Sequence, residues 1–165
     1  MKIAILSDSH EHFDNLKKVM KKVEEMGAEA LLFCGDFCGS KPAQIVAEFK
    51  GPVFVVFGNH DGDPLRIVKY STEINPQFKY FDEGNAILEL GGRKIAMTHY
   101  PLYGNALART GDYDLVCFGH DHEPRIETHG GNCIAVNPGS ILGDKKPASF
   151  AIYDTATHKA ELHTI

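Results

Sequence analysis

Five short polar motifs in this chain carry residue types suited to holding metal ions. They are Asp8-Ser9-His10, Gly35-Asp36, Gly58-Asn59-His60-Asp61, Thr98-His99 and Gly119-His120-Asp121-His122. Each follows an apolar run with the pattern of a buried strand. In α/β sheets, ligands gather where strands end and loops begin. Strands lying side by side would therefore bring all five motifs to one crevice. With His60 set aside, the convergent donors are two aspartates (Asp8, Asp36), four histidines (His10, His99, His120, His122) and Asn59.

Each motif alone also has a plain structural reading. A histidine at a strand end is commonly hydrogen-bonded into the framework, and Asp8 or Asp36 could be a turn residue or helix cap. Gly-Asn-His-Asp could be a tight turn, because Gly and Asn tolerate unusual backbone angles. What argues for chemistry is the coincidence: five strand exits, each with ligand-type residues at the same end.

The elements that must position these motifs are legible as periodicity. Apolar runs at 3–6, 31–34 and 53–57 read as strands. Between them, Phe13, Leu16, Met20, Val23 and Met26 recur at helical spacing and end at Gly27, and a second helix is expected around 43–49. Strands alternating with helices imply parallel pairing through crossovers. The stretch 62–82 is irregular, punctuated by Pro64 and Pro76, with one short helix expected around 65–70. Runs 86–90 and 94–98 flank Gly91-Gly92 as a hairpin. A helix at 103–110 and a strand at 115–118 follow. Hairpins are then expected from 125–128 with 133–136 and from 150–153 with 160–163, giving an antiparallel C-terminal portion. Nothing resembles a linker or a repeat, so residues 1–165 read as one domain.

The order and spacing of the motifs resemble the calcineurin-like metallophosphoesterase superfamily, whose signature runs D-x-H, G-D, G-N-H-[DE], H and G-H-x-H. The likeness spans Asp8 to His122, and the Asn137-Pro138-Gly139-Ser140 loop together with the short chain is most similar to small YfcE-type phosphodiesterases. That resemblance implies a four-layer α/β/β/α sandwich of two mixed β-sheets. It implies a first metal on Asp8, His10, Asp36 and His122, and a second on Asp36, Asn59, His99 and His120, with Asp36 as bridge. Two divalent ions roughly 3.5–4 Å apart acidify a water and clamp phosphoryl oxygens. Mixed imidazole and oxygen donors without thiolate favour transition metals over magnesium or calcium. Manganese is the ion the resemblance implies, with iron, zinc, cobalt and nickel open. His60 is implied to contact the phosphate and protonate the leaving oxygen. Many relatives carry an orienting aspartate where this chain has Gly39, which leaves His60 to be oriented by Asp61 or Asp63, or less well poised.

Composition bounds the rest. A formal charge of -5 argues against a dedicated nucleic-acid surface but not against small phosphorylated substrates. No run approaches the roughly 18 apolar residues of a membrane span, and the N-terminus enters a strand with no room for a signal peptide. Cys34, Cys38, Cys117 and Cys133 form no C-x-x-C pair and read as reduced thiols of a cytoplasmic protein, Cys34 and Cys117 as buried ones. No cap domain is evident, so the crevice should be open to small phosphate esters. A homo-oligomer is left open. His12 lies near the mouth or in a solvated loop, Asp121 is expected to point away from the metals, and His129, His158 and His163 read as surface or strand residues. The 137–140 loop could line the site or be a plain turn, and Arg66 is weak evidence of a phosphate contact. Two rivals stand beside the phosphodiesterase reading: a non-catalytic scaffold similar to a retromer subunit, and a nuclease or dinucleoside-polyphosphate hydrolase.

Overall fold

Alternation along the first strand shows how the layers arise. In the computed structural model, which describes residues 1–81 and 84–165, Ile3 and Ile5 of β1 (Lys2–Leu6) face one core while Ala4 and Leu6 face another. A strand buried on both sides needs a partner layer on each face. The chain supplies them through α1 (Phe13–Glu25), β2 (Ala30–Phe33), α2 (Ser40–Ala47), β3 (Val53–Val56), α3 (Pro64–Ile74) and β4 (Phe78–Phe81). Then come β5 (Asn85–Leu90), β6 (Arg93–Thr98), α4 (Pro101–Thr110), β7 (Leu115–Cys117), β8 (Arg125–His129), β9 (Cys133–Asn137), β10 (Ser149–Asp154) and β11 (Lys159–Thr164).

Two mixed sheets result. The first runs β11-β10-β1-β2-β3-β4, and the second β5-β6-β7-β9-β8. Parallel pairs β1–β2, β2–β3 and β3–β4 are built by helical crossovers. Leu16, Val19, Met20 and Val23 of α1, Ala43 and Val46 of α2, and Ile67 of α3 cover the outer face of the first sheet. Ile3, Ile5, Leu32 and Val56 meet Ile95, Met97, Leu115 and Val136 between the sheets. Ala108 of α4 packs on Ala96, Val116 and Ala135 of the second sheet. The layers are thus α, β, β and α, the expected sandwich.

Helix ends follow local chemistry. His12 caps α1 by accepting the Asn15 N–H on Nδ1 at 3.3 Å, so it belongs to a helix terminus and not to the crevice. Gly27, at φ +72°, ends the turn after it.

Two expectations need correction. The stretch from 62 holds more order than expected: α3 starts on Pro64 behind an Asp63 cap and extends to Ile74, and β4 adds a fourth parallel strand. Residue 82, the end of that stretch as read from sequence, lies outside the described residues. The C-terminal portion is also not one antiparallel unit. The β8–β9 hairpin joins the second sheet, where β9 runs parallel to β7, and the β10–β11 hairpin joins the first, antiparallel to β1.

All four cysteines are free, with Cys34, Cys117 and Cys133 buried. Among the described residues no helix is long and apolar enough to cross a membrane.

Candidate metal centre

The five motifs leave β1, β2, β3, β6 and β7 at the same edge, and their backbones lock together before any side chain is considered. The Asp8 N–H donates to the Gly35 carbonyl at 3.0 Å, and the His10 N–H to the Asp36 carbonyl at 3.1 Å. Asp61 accepts from the N–H groups of Asp36 (2.9 Å), Cys38 (3.0 Å) and Gly58 (2.8 Å), tying the second loop to the third. Burial raises the Asp61 carboxyl, against the pull of those three donors.

Close approach explains the glycines. A Cβ at Gly35 would stand 2.6 Å from both the Gly58 nitrogen and His99 Nδ1, and Gly35 has φ +97°. A side chain at Gly119 would strike the Ser7 hydroxyl and the Asp8 carboxylate.

Asp8, His10, Asp36, His120 and His122 all have positive φ. For residues with a Cβ this costs about 1–3 kcal/mol each. The strain turns successive side chains inward onto one point.

Two histidines have their tautomers set by second partners. His99 Nδ1 donates to the Cys34 carbonyl at 2.7 Å, an oxygen that can only accept. Its Nε2 lone pair therefore faces Asp36 Oδ2 (3.5 Å), Asn59 Oδ1 (3.0 Å) and His120 Nδ1 (3.2 Å). His122 Nδ1 lies 2.7 Å from Asp144 Oδ1, which leaves its Nε2 facing Asp8 Oδ1 (3.4 Å) and His10 Nε2 (3.2 Å). His10 Nε2 also lies 3.5 Å from Asp36 Oδ2, while its Nδ1 is 3.4 Å from Cys38 Sγ.

Two groups of donors emerge: Asp8, His10 and His122, and Asp8, Asp36 and His99. His120 and Asn59 reach the second through His99. Asp36 Oδ2 stands 3.5 Å from an imidazole nitrogen of each group.

These residues fit metal ions. Imidazole nitrogens meet nitrogen to nitrogen at 3.2 Å on both sides, close enough for each pair to bind one cation in place of a shared proton. Asp8 Oδ1 is buried and accepts no hydrogen bond. Burial would raise the Asp8 carboxyl, yet the neighbouring imidazoles of His10 and His122 and the Ser7 hydroxyl hold it below the usual range. His122 is pushed up to about 9, first by its bond to Asp8, against burial, and then by Asp144. His10 is raised too, chiefly by Asp8. The carboxylates therefore favour positive charge at His10 and His122, the same field that holds a cation.

His60 stands apart from both groups. It is exposed, its ring centroid is 5.2 Å from that of His10, and its backbone N–H donates to Asp36 Oδ1 at 2.9 Å. Neither expected orienting partner serves its ring. Asp61 has both oxygens on backbone N–H groups, and Asp63 caps α3 and pairs with Arg66. Arg66 forms an exposed ion pair with Asp63 at the start of α3. At Gly39, the space for a side chain is taken by Glu11, whose Oε1 would lie 2.7 Å from a Cβ there.

Asp121 points away as expected, onto Arg125 and Asn137. The 137–140 loop braces the site from behind: Asn137 donates to the Gly119 carbonyl, and the Ser140 hydroxyl to the Asp8 carbonyl at 3.0 Å. His129 pairs with Glu127, His158 with Tyr153, and His163 packs on Phe150. Asp144 and Cys38 are the neighbours that sequence reasoning missed. Neither lies in a motif, and the Gly143-Asp144-Lys145-Lys146 run gives no sign of facing a histidine.

Comparison with known proteins identifies the family. The model of the calcineurin-like phosphoesterase superfamily domain matches residues 1–158. A phosphodiesterase of Methanocaldococcus jannaschii is 27% identical over 145 residues, covering 87% of this chain and 86% of its own. The Bacillus subtilis protein named "Probable metallophosphoesterase YsnB" is 30% identical over 149 residues, covering 86% and 75%. A solved archaeal phosphodiesterase superposes over 100% of both chains with a TM-score of 0.92 at 24% identity, a likeness of fold. The chain belongs to the calcineurin-like phosphoesterase superfamily.

Proposed function

We propose that this chain hydrolyses small phosphodiesters, and phosphomonoesters as well, at a centre of two divalent transition-metal ions, with manganese the favoured ion. The carrying observation is the pair of donor groups joined by carboxylates in one crevice. Asp8, His10, Asp36 and His122 hold one ion, and Asp36, Asn59, His99 and His120 the other. The position of Asp36 Oδ2 between His10 and His99 supports its role as bridge. Such ions, when bound, polarise the phosphoryl oxygens and make water acidic enough to attack near neutral pH.

The remaining work falls to the chain. Cys34 and Asp144 fix the rings of His99 and His122 through their Nδ1 atoms. His60, exposed above His10, meets the leaving oxygen and gives it a proton. Four free cysteines support a cytoplasmic location, and the core shared by the two sheets supports a single domain over residues 1–165.

Elemental analysis of the reconstituted chain, with a panel of phosphodiesters and phosphomonoesters, tests this. About two ions per chain and faster turnover of diesters are expected. Full metal occupancy with no ester hydrolysed would favour the scaffold reading instead. A second expectation concerns Asp144. Asp144→Asn keeps a group beside His122 but removes the carboxylate that holds its ring, and such partners typically contribute 10–100-fold to metal affinity. Because Asp144 is exposed, a loss of about tenfold in a metal titration is expected. Unchanged affinity would make the 2.7 Å contact incidental.

A further inference from the structure

Strand β6 divides its side chains between two environments. Met97 faces the core between the sheets and His99 turns into the metal centre, whereas Ala96, Thr98 and Tyr100 line a groove on the opposite face. That groove lies between α4 and the β5–β6 hairpin and has a volume of about 530 Å³. It exists because α4 rests on β6, β7 and β9, leaving Ile87 of the edge strand β5 59% exposed. Tyr103 and Leu107 of α4 form the facing wall.

Tyr100 belongs to both places. Its ring centroid is 4.9 Å from that of His120 and 5.1 Å from that of His99, and 6.0 Å from that of Tyr103 inside the groove. A ligand atom at the imidazole cluster is thus one aromatic ring away from the groove. Among the described residues that line it there is no Lys, Arg, His, Asp or Glu, so the groove offers a phosphate no cation. It offers aromatic and aliphatic walls, at a size within the roughly 300–1,000 Å³ of small-molecule sites.

We infer that this groove is a specificity subsite that holds a planar aromatic group esterified to the phosphate, with Tyr100 as the shared wall. The inference rests on the phosphoesterase reading of the metal centre. It makes the enzyme selective for aromatic esters, aryl or nucleoside, over small aliphatic ones.

The test is equilibrium binding of three non-hydrolysable phosphonates to the metal-reconstituted full chain: methylphosphonate, 1-naphthylphosphonate and a nucleoside phosphonate. At least about tenfold tighter binding of the naphthyl compound over the methyl one is expected from burying one ring face. That ratio should fall below about twofold in Tyr103→Ala and in Ile87→Ser. Both side chains are more than half exposed, at 57% and 59%, so neither change removes core packing, and they alter opposite walls. A nucleoside compound as tight as the naphthyl one would extend the subsite to nucleobases. One bound like methylphosphonate would restrict it to aryl groups. A wild-type ratio near one overturns the subsite alone, as does a ratio preserved in both variants. Failure of all three phosphonates to bind overturns the phosphoesterase reading with it. Self-association that both variants weaken, with no naphthyl preference, would make the groove an interface between copies instead.

Discussion

Replacing Asp36 with asparagine is expected to leave fewer than two divalent ions per chain and to slow ester hydrolysis by roughly a hundredfold or more. The substitution conserves size and removes one negative charge from between two groups of donors. Asp36 Oδ1 already accepts the His60 N–H at 2.9 Å, so the amide oxygen would take that place. The amide NH₂ would then face His10 and His99, where Oδ2 now stands 3.5 Å from each Nε2. A donor pointing at a cation repels it. Metal content and rate, measured on one preparation beside a chelated wild-type control with no activity, decide the matter. Two ions retained with a near-normal rate would show that Asp36 does not bridge.

His60→Asn separates proton delivery from metal binding. Its ring meets the donor groups by an edge contact with His10, so the variant should keep both ions. An alkoxide needs a proton as its bond to phosphorus breaks, whereas a nitrophenolate scarcely does. A loss of about 10²-fold is therefore expected on alkyl or nucleoside esters, and a much smaller one on nitrophenyl esters. An equal loss on every ester would assign His60 to phosphate binding. Loss of metal would place it among the ligands or the framework.

Much of the site was legible because ligand chemistry and strand exits coincide. Asp8, Asp36, His99 and His120 each stand within three residues of an apolar run, so placing the strands places the motifs. The helix faces were equally open to reading, since the Leu16–Val23 stripe repeats at helical spacing. Other features had no local signal. In β4 only Phe78 is buried, so the short Phe-Lys-Tyr-Phe run lacks the apolar density that marks β1 to β3. Its place comes from pairing with β3 at the sheet edge. The C-terminal hairpins were visible as hairpins, but alternation within a hairpin does not say which sheet receives it. Asp61 looked like a partner for His60 by adjacency. In the fold, three backbone donors, two from the neighbouring loop and one from its own, reach it first.

The seam between β1 and β10 has a consequence for how the chain matures on the ribosome. Lys2 pairs with Asp154 and Ile5 with Ala151, so one side of the strand that leads to Asp8 has no partner until the far end of the chain has emerged. The Ser140 hydroxyl, which holds the Asp8 carbonyl, arrives almost as late. A nascent chain therefore carries an open apolar edge at β1 until β10 has emerged, the kind of edge that recruits chaperones or pairs with another chain. The first of the five motif loops to be translated is among the last to be closed.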